Sequence, residues 1–163
     1  VVALSATASA AGPESFGHGP SVREQLSGLH EHPLALSTTG TGSFRASLNE
    51  RTQEITYTLS YSDLSSAVTQ AHIHFGQAYQ AGGISTFLCT NLGNGPVGTQ
   101  LCPAAPATVS GTLKAVDVIG PAGQGIAAGE FAEFARAFRA GVTYANVHTT
   151  GFPAGEIRAQ LER

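Results

Sequence analysis

The chain has 163 residues, eight Lys and Arg against eleven Asp and Glu, a net charge of −3 with histidine neutral, and only 12% charged residues. That length fits one domain with a real core. The scattered basic residues exclude a nucleic-acid footprint or a polybasic membrane-surface segment, and no stretch reaches the roughly 18 apolar residues of a membrane span. Twenty Gly and eight Pro exclude a mainly helical protein.

Val1 to Ala10 (VVALSATASA) reads as the end of a signal-peptide apolar region followed by a small-residue A-S-A cleavage site. This predicts an exported protein, secreted, periplasmic or at the cell surface, with a mature chain from Ala11. Residues 1–25 are assigned to that remnant and a flexible arm, loose through about Pro20. A single β domain takes 26–163. Next come His30, Glu31 and His32 in L-H-E-H-P, read as a polar loop that could also bring a further ligand.

Period-two alternation marks half-buried strands. It runs over 42–49, with Phe44, Ala46 and Leu48 on one side, and over 53–61, with Ile55, Tyr57, Leu59 and Tyr61 on one side. Asn49 to Thr52 suits the hairpin turn between them. Further strands are expected at 68–75 (VTQAHIHF), 84–90 (ISTFLCT) and 108–114 (TVSGTLK). Cys89 and Cys102 enclose TNLGNGPVGTQL, a stretch of turn formers. Metal-binding cysteine pairs usually stand about two to four residues apart, so this pair is expected as a disulfide.

Over 127–140 the period changes. Phe131, Phe134, Ala135 and Phe138 recur at helical spacing, and Gly141 follows as a stop. This predicts one short helix with its phenylalanines in the core. Two last strands, 142–149 and 155–161, flank the loop TGFPA. An antiparallel Greek-key β-sandwich or barrel with one short helix is the natural packing.

His72-Ile73-His74 carries the chemistry. Alternation puts His72 and His74 on one strand face, with Cα atoms about 6.5–7 Å apart. Tyr144, Asn146 and His148 share a face of a second strand, and Glu156 and Arg158 a face of a third. If these strands are neighbours, His72, His74 and His148 form a three-histidine metal site. Glu156 and Arg158 would stand beside it, as an ion pair across the sheet face. Tyr144 and Asn146 would supply the hydrogen bonds that fix imidazole tautomers. The competing reading is an ordinary solvated sheet face. Imidazole donors suit copper, zinc, nickel and iron, and affinity peaks at Cu(II). Copper is therefore the expected ion, with zinc or none as alternatives. The templates G-x-S-x-G, P-loop and H-E-x-x-H are absent.

Three stretches resemble the CHRD domain first described in chordin: LSGLHEHPLALSTTGTGSF at 26–44, YSDLSSAVTQAHIHFG at 61–76, and FRAGVTYANVHTTGFPAGEIRAQL at 138–161. The insertion with Cys89 and Cys102 is the least family-like part. The resemblance implies an immunoglobulin-like β-sandwich with a likeness to Cu/Zn superoxide dismutase, which also uses an H-x-H strand pair for copper. It maps the family's motif residues to Glu31, His72, His74, Tyr144, Asn146, His148, Glu156 and Arg158. The chain lacks the bridging histidine and aspartate of a second, zinc-type subsite. Three functions follow as expectations: an exported copper carrier or buffer without enzymatic activity, a copper enzyme of oxidase or superoxide chemistry, and a metal-free interaction module.

Overall fold

The computed structural model describes residues 19–162. The signal remnant, most of the arm and His18 lie outside them. Eight strands and one helix follow in order: β1 (Ser21–Ser27), β2 (Thr41–Asn49), β3 (Glu54–Ser62), β4 (Val68–Phe75), β5 (Gly83–Thr90), β6 (Ala107–Leu113), α1 (Phe131–Arg139), β7 (Thr143–Thr149) and β8 (Ile157–Gln160). They form one antiparallel sheet in the order β5-β4-β7-β8-β1-β2-β3-β6. The neighbours β3–β6, β4–β7 and β8–β1 are not consecutive in the chain, which makes the connectivity Greek-key rather than up-and-down.

The sheet curls until β5 and β6 face one another across a seam. The Tyr57 hydroxyl donates to the Leu88 carbonyl at 2.9 Å, and the Gln100 amide donates to the carbonyls of Leu88 and Ser110. The disulfide Cys89–Cys102 fastens β5 to the segment that fills this seam, with Cα atoms 5.0 Å apart. The protein is thus a nearly closed eight-stranded barrel. Its interior is lined by the inward set of each strand, among them Leu26, Phe44, Leu48, Ile55, Leu59, Ile73, Val147 and Ile157. Helix α1 adds Phe131, Phe134 and Phe138 to the same core. Each such aromatic contributes about 1.5–3 kcal/mol by leaving water.

Three boundaries differ from the sequence reading, one of them β8, expected over 155–161 and found at Ile157–Gln160. Residues 21–25, assigned to the arm, belong to β1, which pairs with β2 from Ser21↔Ser47 to Ser27↔Thr41. Only Val22 and Leu26 of this strand turn fully inward, and the charged Arg23 and Glu24 between them hide the alternation. The helix begins at Phe131 rather than 127. Gly129 has φ +83°, a left-handed conformation that a helix cannot run through, and the Glu130 carboxylate instead accepts from the Ala127 N–H. No helix among the described residues is long and apolar enough to cross a membrane.

Candidate metal centre

Strands β4 and β7 lie side by side, with Gln70↔His148, His72↔Asn146 and His74↔Tyr144 in register. Cross-strand partners project from the same sheet face. That face therefore carries three imidazoles from segments some seventy residues apart in sequence. On its other edge β4 pairs with β5 through register shifts on either side of His72 and Ile73. Such bulges increase local twist and re-aim side chains. His72 ends up packed edge-on against Phe87, with ring centroids 4.4 Å apart.

The three histidines converge. One ligand atom from each lies within 4.8 Å of the others, and the group could hold a metal ion. Two nitrogens bound to one ion at about 2.0–2.1 Å stand roughly 2.9–3.4 Å apart. His72 Nδ1 donates to His148 Nε2 at 3.1 Å, a separation that also falls inside that window. Behind the rings, His74 Nδ1 donates to the Gly82 carbonyl and His148 Nδ1 to the Pro153 carbonyl, both at 3.0 Å. A carbonyl only accepts, so each Nδ1 holds the proton and each Nε2 presents a lone pair. Nε2 of His72 and of His74 are buried without a partner. With its Nδ1 proton on the Gly82 carbonyl, His74 leaves Nε2 as a buried acceptor without a partner, which costs free energy and which an ion at this spot would satisfy; His72 would meet the same ion through Nδ1.

The face is not solvated. His72, His74 and His148 are 0%, 7% and 6% exposed. Burial, with the neighbouring His148 and His74 rings, pushes the His72 imidazole down to about 2. Burial brings His74 to about 4 against the opposing pull of the Gly82 carbonyl, and lowers His148 against that of Pro153. All three rings are neutral at physiological pH, the form that ligates.

The CHRD domain family model matches residues 22–161. The chain belongs to the CHRD domain family. No curated protein and no solved structure matches it.

Around the imidazoles the CHRD domain arranges its other motif residues in three ways. Tyr144 stacks on His74, with centroids 4.7 Å apart and planes within 2°, and its hydroxyl accepts the Gly82 N–H at 3.0 Å. Arg158 rests on the Tyr144 ring, its Cζ 3.4 Å from the centroid. Asn146 donates to Glu31 Oε1 at 2.6 Å and to the Ile157 carbonyl at 3.1 Å. Gly155 makes this possible. At φ +132° a Cβ there would stand within 2.6–2.8 Å of the Asn146 amide and Glu31 Oε1.

Several sequence expectations change here. The bonds that fix the imidazoles come from the backbone of Gly82 and Pro153, not from Tyr144 or Asn146, whose hydroxyl and amide are engaged elsewhere. Glu156 and Arg158 form no ion pair. The fully buried Glu156 carboxylate accepts from the Ser65 N–H at 2.7 Å and the Thr149 hydroxyl at 2.8 Å, away from the imidazoles. Arg158 Nη2 donates instead to the carbonyls of Gln77 and Ala78. The L-H-E-H-P triplet contributes no further ligand to the group. Glu31 reaches Asn146, and His30 Nδ1 meets the Arg158 carbonyl at 3.3 Å. Gly82, Pro153 and Phe87 were missed. Backbone partners carry no side-chain signature, and only the Pro and Gly punctuation of their loops hinted at turns there.

Proposed function

We propose that this CHRD domain is an exported copper-binding protein in which His72, His74 and His148 hold the ion, in a carrier, buffer or presenting role. One observation carries the reading. Three buried neutral imidazoles point at a common spot, two of them locked by main-chain carbonyls, with Nε2 of His74 left as an unpaired acceptor. Imidazole is a suitable donor for copper, as it is for zinc, nickel and iron, and copper is the ion this reading commits to. The disulfide and the A-S-A leader pattern support an oxidising compartment outside the cytosol. A bound copper ion would supply reversible one-electron chemistry or simply be handed on; the residues supply a dry, preoriented seat.

Metal analysis of the protein purified from an exporting host, beside His74→Ala, tests this. A single equivalent of copper that falls to background in the variant is the expected result. Equal copper in both would leave the domain as a metal-free interaction module, and zinc in its place would correct the ion.

A further inference from the structure

We infer that the centre is built for the monovalent ion, Cu(I), over Cu(II) or Zn(II), and that Arg158, acting through Tyr144, helps to set this preference. This rests on the copper reading above and goes beyond it by naming the charge of the ion.

The donor group contains only uncharged imidazoles. No carboxylate or thiolate joins it among the described residues. The charge of the bound ion is thus the net charge of the site. The site is also nearly sealed, with its three ligands at most 7% exposed. The cost of holding a charge in such a medium grows with the square of that charge, so a dication is penalised about four times as heavily as a monocation. Zn(II) sites of three histidines draw a water or hydroxide into the fourth position. A d¹⁰ Cu(I) ion is satisfied by three neutral donors.

Arg158 sharpens the bias. It is 2% exposed, yet its side chain makes no ion pair; its hydrogen bonds go to the neutral carbonyls of Gln77 and Ala78. Its positive charge lies against the ring of Tyr144, which lies against the ligand His74. Repulsion between this fixed cation and the metal is twice as large for a divalent ion. Two carboxyls oppose it, both outside the donor group: Glu31, which feels the Arg158 charge but stands behind Asn146, and the buried Glu156, whose oxygens are taken up by Ser65 and Thr149. Burial pushes the Glu31 carboxyl up to about 7, which weakens its negative charge near neutrality.

Competition titrations decide the matter. The folded protein is titrated with Cu(I) against a chromogenic Cu(I) chelator under anaerobic reducing conditions, and with Cu(II) and Zn(II) against nitrilotriacetate. Wild-type protein is expected to hold Cu(I) more tightly than either divalent ion. Arg158→Gln should shift the ratio of affinities about tenfold toward the divalent ions, while Arg158→Lys, which keeps the charge, stays near wild type. Tighter Cu(II) or Zn(II) binding by the wild-type protein overturns the inference and leaves the copper reading standing. An unchanged ratio in a folded Arg158→Gln protein removes Arg158 from it. If Arg158→Gln does not fold, the wild-type ratio and Arg158→Lys decide. Absence of binding by any of the three ions overturns both this inference and the metal reading itself.

Discussion

Along β2, β3 and β6 the outward hydroxyl-bearing positions include Ser43, Ser47, Thr56, Thr58, Ser60, Thr108 and Ser110, and none of these is buried. Along β4 and β7 the comparable positions are Gln70, His72, His74, Tyr144, Asn146 and His148, and every one but the half-buried Gln70 is buried. The first set forms a ladder of hydroxyls, such as Ser60 with Thr108 at 2.8 Å and Ser110 with Thr58 at 3.1 Å. Each of these groups could equally bond to water. The second set is covered by the chain around Gly82, Pro153 and Glu31, whose polar atoms supply its partners. Both halves alternate polar and apolar residues. What separates them is the cover over the outer face: once water is gone, each imidazole is held neutral and aimed, and each lone pair without a partner becomes a demand for one.

Removing a ligand should break this contrast most severely. Structural metal sites hold their ion by roughly 10–16 kcal/mol, so losing one donor of three in His148→Ala should weaken copper binding by on the order of a hundred- to a thousandfold. Competition titration reads that loss, and a copper affinity within a few-fold of wild type would show that the covered face does not need its third imidazole. Next in size is the seam at the other side of β5. Replacing Cys89 and Cys102 together by Ala should lower stability by about 2–4 kcal/mol, seen as an earlier urea midpoint that reductant no longer moves.

A smaller effect is expected within the cover itself. Gly155→Ala places a Cβ against Asn146 and Glu31 at a positive φ, which should cost about 1–3 kcal/mol. By disturbing the support behind the ligands it should also weaken copper binding about tenfold. Paired thermal melts with and without copper would separate the two consequences. The smallest effect belongs to the open half. Thr58→Val on the hydroxyl ladder should change stability by no more than about 0.5 kcal/mol and leave copper affinity untouched. A larger change there would mean that the exposed face is held together as tightly as the covered one.

Much of this was legible in the residues. Strand β4 was bounded at Val68–Phe75 as the alternation predicts, and β2, β3, β5, β6 and β7 fall within a residue of their expected limits. The shared face of His72 and His74 follows from the two-residue period alone, and the disulfide from the spacing of its cysteines. Strand β1 was hidden because Arg23 and Glu24 interrupt its inward pair. Glu156 was misplaced because it precedes β8 rather than lying in it: Gly155 sits just before it at a positive φ, and its carboxylate turns to Ser65 and Thr149.

Local pattern by itself determined where β2 to β7 run, which of their side chains share a face and that three histidines would stand on sheet positions. These are consequences of backbone geometry over a few residues. Only the tertiary structure decided that β4 lies beside β7, that loops distant in sequence close over them, and that the carbonyls of Gly82 and Pro153 hold the rings. Adjacency, burial and main-chain partners are set by the packing of the whole barrel. No local window encodes them, and they convert a polar strand face into a set of neutral, oriented donors.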